Sequence, residues 1–135
     1  MSKKWIENLP AYFENYIKHV HEVDILDALN NSWTEMTAIL EIMDESKADF
    51  TYEKGKWTIK EMLLHLIDTE RIFQYRALCI ARGEMNELPG FDHNTYAENS
   101  KANSRLLSSI IEEFQTVRNA SISLYGNIEE NRLKS

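Results

Sequence analysis

The chain has 135 residues, enough for one domain with its own core. Hydrophobic residues make up 43% of it and charged residues 27%, the balance of a globular protein rather than a disordered one. The 15 Lys and Arg residues against 22 Asp and Glu leave a net charge of −7, which argues against nonspecific binding to nucleic acid or an anionic membrane, and no run of basic residues offers a local exception. No apolar stretch reaches membrane-spanning length, and the opening residues MSKKWIENLPAYFENYIKHV contain no apolar signal core. A soluble, cytoplasmic protein is the expectation. Cys79 stands alone and cannot form an intrachain disulfide.

In chain order, LPAYFENYIKHV reads as a short helix opened by Pro10, with Tyr12, Phe13, Tyr16 and Ile17 available for packing. The first long helix is expected from about Ile25 to Met43, with Asp24 as its N-cap. Its Leu26, Leu29, Trp33, Met36, Leu40 and Met43 recur at alternating spacings of 3 and 4, a heptad seam. A second helix runs through KWTIKEMLLHLIDTERIFQYRA, residues 56–77. Thr58 and Glu61 have the spacing of a capping box, and Gly83 is a natural stop. The segment GEMNELPGFDHNTYAENS, residues 83–100, reads as a long loop turned at Pro89-Gly90, a length often associated with function.

The third long helix is expected to begin near Ser100 or Lys101 and to end at Gly126. Its seam is Leu107, Ile110, Phe114, Val117, Ser121 and Leu124. Three seams of this kind predict an all-α antiparallel bundle, and four helices is the commoner count for such packing. The sequence contains no repeat or internal domain boundary, so residues 1–135 form one expected domain.

The second helix carries the residue that most needs explaining. At roughly 100° per residue, His65 falls at the margin of the apolar stripe, in line with Thr69, Ile72 and Arg76. Glu61 and Asp68 flank it one turn away on either side. A neutral imidazole turned inward can bind a transition metal, and a nearby carboxylate can orient it or join it as a ligand. The bland alternative is a half-buried packing histidine with a solvated acidic edge. His19 and His21, two residues apart, would point about 200° from each other on a helix. His93, in the long loop, could approach the mouth of the bundle, although an exposed position is the default for such a residue. Cys79 lies roughly 21 Å from His65 along the helix axis and reads as packing. Ser121 reads as a seam hydroxyl bonded to its own helix. Arg76 reads as a partner in a salt bridge to another helix, with a substrate carboxylate as its alternative use.

The stretch GKWTIKEMLLHLIDTERIFQYRALCIARGE, followed by LPGFDHNTYAENS, resembles the DinB-like family of bacterial four-helix bundles. That family is distinct from the similarly named DNA polymerase. The resemblance extends from LPAYFENYI through SRLLSSIIEEFQTVRNASISLY and so covers nearly the whole chain. It implies an up-down-down-up bundle of which this chain contains the first three long helices. It also implies a divalent metal, nickel or zinc, with His65 at the position of the family's ligand on the second helix. The remaining two ligands would come from an H-x-x-x-H pair on a fourth helix, and no such pair occurs in these 135 residues. The expectation is therefore a C-terminally truncated family member with an incomplete metal site and weak metal binding. By resemblance the activity is metal-dependent transfer to a low-molecular-weight thiol (bacillithiol, mycothiol or glutathione) or a hydrolase-like reaction, lost in a chain of this length. The alternative is a non-catalytic helical interaction module. In either case Leu66, Phe73, Phe114 and Val117 are expected to line an open groove, and a homo-oligomer is the expected state.

Overall fold

A computed structural model describes residues 24–51 and 55–128. The aromatic N-terminal segment, His19 and His21, and the residues after Ile128 lie outside the described residues. Among those described, every regular element is helical: α1 (Ile25–Glu41), α2 (Ile59–Ala81), α3 (His93–Asn99) and α4 (Leu107–Gly126), with single 3-10 turns at Lys47–Asp49 and Ala102–Ser104. None of these helices is long and apolar enough to cross a membrane.

Local chemistry sets most of the helix ends. The Asp24 carboxylate accepts the Leu26 amide at 2.7 Å and starts α1. At the head of α2 the capping box closes in both directions: Thr58 Oγ1 accepts from the Glu61 amide at 3.1 Å, and Glu61 Oε1 accepts from the Thr58 amide at 3.0 Å. At its tail, Gly83 adopts φ +85°, and the amides of Gly83 and Glu84 turn back onto the carbonyls of Ile80 and Cys79. That left-handed closure satisfies carbonyls the helix would otherwise leave open.

Three boundaries differ from expectation. Helix α1 stops at Glu41, because the Ile42 amide tightens onto the Ile39 carbonyl at 3.3 Å; Met43 still packs against the core. The long connection contains α3, started by Asp92, whose Oδ1 accepts the amides of Asn94 and Thr95. Helix α4 starts at Leu107 rather than at Ser100 or Lys101, because Lys101 takes a left-handed φ of 54° that breaks the run. No side chain of its own N-cap residue serves α4. Instead both carboxylate oxygens of Glu45 accept the Leu107 amide, at 2.9 and 2.8 Å, across 62 residues of sequence. The buried Lys60 ammonium fixes this cap by pairing with Glu45 at 2.8 Å and with Asp49 at 2.9 Å. Those two hydrogen bonds hold its ammonium above the usual lysine range.

Side-chain pairing sets the helix directions. Between α2 and α4 the separation of partners stays nearly constant: 42 residues for Arg71–Glu113, 48 for Glu70–Arg118 and 47 for Gln74–Ser121. These helices therefore run parallel. Between α1 and α4 it falls from 89 at Leu29–Arg118 to 62 at Glu45–Leu107, so that pair is antiparallel. The antiparallel reading drawn from the seams therefore fails for α2 and α4, while the up-down-down order that the resemblance implies holds. Consecutive parallel helices need a connection that travels back along the whole length of α2, roughly 34 Å at 1.5 Å per residue, and residues 82–106 supply it. Up, down, down is the order of the three long helices.

The core gathers Leu40, Leu63, Leu64, Ile67, Leu107, Ile110, Phe114 and Val117, with Trp33 tilted against Phe114 at 5.2 Å between ring centres. Phe114 and Val117 are 1% and 3% exposed, so they belong to this core and not to an open groove. The other half of that expectation holds: Leu66 and Phe73 are 38% and 52% exposed. They sit on the flank of α2, roughly 60–100° around from Leu63, Ile67, Glu70 and Gln74, which mark the face α4 covers.

Candidate metal centre

His65 lies on the second turn of α2, half-buried, on the far side of the helix, roughly 140–200° around from the face that α4 covers. Two rings hold it. Trp57, delivered by the extended residues just before the Thr58 cap, lies tilted against it with ring centres 4.9 Å apart. From the opposite side of the sequence His93 comes to the same distance, edge-on at an interplanar angle of 68°. His93 is the first residue of α3 and is itself exposed. Its ring also meets Phe91 at 4.4 Å, and Phe91 meets Tyr96 at 5.1 Å.

The connection is fastened to α2 further along. Arg76 Nη2 donates to the Pro89 carbonyl at 3.2 Å, and its guanidinium stands 5.9 Å from the ring centres of both Phe73 and Phe91. That arrangement replaces the interhelical salt bridge expected of Arg76, for which no ion pair appears among the described residues. Arg76 and the Asp92 cap fix the loop on either side of Phe91 and so present His93 to His65.

The electrostatics favour an uncharged imidazole. Burial, and then the neighbouring His93, push the His65 pKa below the usual histidine value, with Asp68 opposing. Burial in turn raises the Asp68 carboxyl above the usual carboxylate range, with Glu113 adding to the rise and Arg71 and His65 opposing it. A neutral imidazole keeps a lone pair available for a ligand or a proton. Glu61, the other acid flanking His65, is committed to the capping box. One turn along from His65, the buried Thr69 hydroxyl has no hydrogen-bond partner among the described residues. Beside the histidines, a cleft of about 460 Å³ is lined by Gly55, Lys56, Trp57, Met62 and Asn94, so that it shares Trp57 as a wall with His65.

As a test of the metal that the resemblance implies, His65 fits the part of one imidazole ligand: half-buried, biased toward neutrality and fixed by flanking rings. Among the described residues no group of three or more His, Cys, Asp or Glu side chains could hold an ion, so they carry a partial donor set. Cys79 is remote from it, toward the far end of α2.

Ser121 corrects another expectation. Its hydroxyl donates to Glu70 Oε2 at 2.7 Å and accepts from Gln74 Nε2 at 2.7 Å, so it serves α2 rather than its own helix. Sequence reasoning left open whether His93 reaches the mouth of the bundle; the structure brings its ring against His65 while leaving the residue exposed. A visible signal lay beside it: Asp92 followed by Asn94 and Thr95 has the composition of a helix N-cap, which would have taken His93 out of the loop.

Fold and site together define an all-helical bundle protein with a histidine corner where the α2–α4 connection crosses α2. The profile of the DinB superfamily matches residues 28–135, most of the chain. The chain belongs to the DinB superfamily. Comparisons with curated proteins and with solved structures return no match.

Proposed function

We propose that this chain is a member of its superfamily akin to metal-dependent thiol transferases or hydrolase-like proteins, with His65 as one ligand of a divalent nickel or zinc ion whose donor set the described residues supply only in part. The observation that carries the reading is the half-buried His65 imidazole, set between His93 and Trp57, the latter a wall of an open cleft. A bound ion would supply Lewis acidity, lowering the pKa of a thiol or water so that its nucleophilic form exists at neutral pH. The chain's own residues do the rest. Trp57 and Met62 offer apolar walls to the body of a small substrate. The Lys56 ammonium faces the same cleft and can pair with the carboxylate common to low-molecular-weight thiols, and the Asn94 amide adds a polar contact. Trp57 and His93 hold the His65 ring in one orientation and keep water from its flanks.

The test is direct. Chain loaded with Ni²⁺ or Zn²⁺ is incubated with bacillithiol, mycothiol or glutathione and an alkylating electrophile, and the S-conjugate is quantified by mass spectrometry. Conjugate formation should require the ion and be lost in His65→Ala. An equal rate in His65→Ala, or without metal, would reject the assignment.

A second reading, a non-catalytic module that pairs with a second copy of itself, draws support from Met62, Leu66 and Phe73. These lie 3 or 4 residues apart or two turns on, on one face of α2, and are 52%, 38% and 52% exposed. Covering a large apolar side chain gains roughly 1.5–3 kcal/mol, so such a stripe favours association. Light scattering over a dilution series should then show a dimer that Phe73→Glu converts to folded monomer.

A further inference from the structure

We infer that residues 10–20 of this chain dock as an amphipathic helix on the exposed flank of α2 and close the bundle from within the same molecule. The inference is independent of the metal-dependent reading and stands against the pairing of two copies over the same residues. Met62, Leu66 and Phe73 form that flank and are 52%, 38% and 52% exposed. A row of large apolar side chains left open on one helix is rare on a stable monomer. The chain outside the described residues offers two candidates to cover it. Ile128 is followed by EENRLKS, in which Leu133 alone is apolar. Asp24 is preceded by LPAYFENYIKHVHEV. There Phe13, Tyr16, Ile17 and Val20 recur at i, i+3, i+4 and i+7, a continuous helical stripe, while Glu14, Asn15 and Lys18 fall on the opposite side. Pro10 is placed to open such a helix.

The course of the chain brings this stripe to that flank. The start of α1 lies beside the end of α4, where a Cβ at Gly126 would stand 3.7 Å from Leu26 Cδ1. Because α2 runs parallel to α4, with Gln74 bonded to the Val117 carbonyl and to Ser121, the start of α1 also lies toward the C-terminal half of α2. Glu70, roughly 40–60° around α2 from Leu66 and Phe73, reaches α1 through Arg118, so the flank and α1 share one side of the bundle. Followed backward from Asp24, a segment that doubles back along α1 meets the level of Phe73 first and that of Leu66 next. Phe13 to Val20 and Leu66 to Phe73 are both seven residues, a rise of roughly 10.5 Å in each helix. From Val20 to Asp24 the chain can reach up to about 14 Å, against roughly 8–10 Å between the axes of packed helices, so the turn is long enough.

Tethering decides between this segment and a second copy. A short flexible linker holds the segment near the flank at an effective concentration on the order of mM. Separate chains meet at the concentration of the solution, and each carries a net charge of −7 that opposes their approach. At micromolar protein the segment therefore prevails unless a second copy binds more tightly by about a thousandfold.

Disulfide trapping in the full chain tests the inference. In a Cys79→Ser background, Ile17→Cys is combined with Phe73→Cys and oxidised at micromolar concentration, with Lys18→Cys and Phe73→Cys as the control from the polar side of the segment. The first pair should close within one chain, seen as a faster-migrating monomer on non-reducing electrophoresis, and should form about tenfold faster than the control pair, whose side chains point apart. Light scattering on the reduced protein should give a monomer. A cross-linked dimer would seat a second copy on the flank and overturn the inference. Equal trapping of the two pairs would show a segment tethered but not docked, and would overturn it as well; so would no trapping of either. Hydrogen exchange in the wild type gives a reading that needs no substitution. The amides of residues 13–20 should exchange about tenfold or more slowly than in an unstructured chain, and exchange at the unstructured rate would also overturn the inference. None of these outcomes bears on metal binding at His65, so the two readings fail separately.

Discussion

Helix α2 carries two polar clusters, and they are built on opposite plans. Where it faces α4, the Glu70 carboxylate takes Arg118 Nε at 3.1 Å on both oxygens, Arg118 Nη2 at 2.8 Å and the Ser121 hydroxyl at 2.7 Å. Arg118 Nη1 continues to the Leu29 carbonyl and Ser32 on α1. Gln74 joins Ser121 to the Val117 carbonyl. Nearly every donor and acceptor there has a partner inside the protein, so the cluster is a fastening of three helices. On the far margin, His65 and His93 are held mainly by rings and leave nitrogens without a partner among the side chains that fix them. The difference separates polar groups that complete a fold from polar groups kept available. Burial with satisfied partners marks the first; orientation without satisfaction marks the second.

The comparison is broken most severely at Arg118. Its side chain is 8% exposed and that of Glu70 14%, so Arg118→Leu strands a buried carboxylate and should cost about 3–5 kcal/mol in urea unfolding. Glu70→Met with Arg118→Met should recover much of that loss, because no charge is left unpaired. If the double variant is no better than Arg118→Leu, the cluster stabilises by more than mutual neutralisation. Smaller is Glu45→Ala, which removes the distant cap from the Leu107 amide. About 1–2 kcal/mol is the expected loss, with hydrogen exchange quickening in the first turn of α4.

Smaller again is a pH effect at the surface of the α2–α4 seam. Burial alone would raise the Glu113 carboxyl. Hydrogen bonds from Arg71 and Arg105 outweigh it and hold the pKa below the ordinary 4.5. A carboxylate depressed by folding stabilises fully above its unfolded value and loses that contribution as pH falls through the folded value. The advantage of wild type over Glu113→Gln should therefore be complete at neutral pH and shrink below about pH 4.5, with a size under ~1 kcal/mol for so exposed an Arg71 partner. A difference that stayed constant down to pH 3 would mean that the ion pairs do not carry it. The smallest effect is expected at the histidine corner itself. In metal-free protein, His93→Ala should shift stability by no more than about 0.5 kcal/mol, because the residue is exposed and caps nothing. A larger loss would move His93 from the available class to the fastening class and erase the contrast.

The sequence by itself determined the parts whose causes are local. Apolar periodicity announced three long helices, and of the seam Leu107, Ile110, Phe114, Val117, Ser121 and Leu124 all but the half-buried Leu124 are buried on α4, where Arg118 joins them. Asp24, the Thr58–Glu61 box and Gly83 fixed ends because each acts on backbone groups within a few residues. The half-burial of His65 was legible as well, since its place at the margin of the stripe fits a half-buried residue. What only the tertiary structure decided depends on partners far away in the chain. Leu107 begins α4 because of a carboxylate at Glu45, and Ser121 bonds across to Glu70 rather than to its own turn. The direction of α4 relative to α2 follows from a connection long enough to return, which permits a parallel pairing but does not by itself choose it. His93 meets His65 because α3, the Arg76 clamp and the Phe91 ring bring a residue 28 positions away onto the same corner. Periodicity states which face of a helix is covered; it does not carry the identity of what covers it.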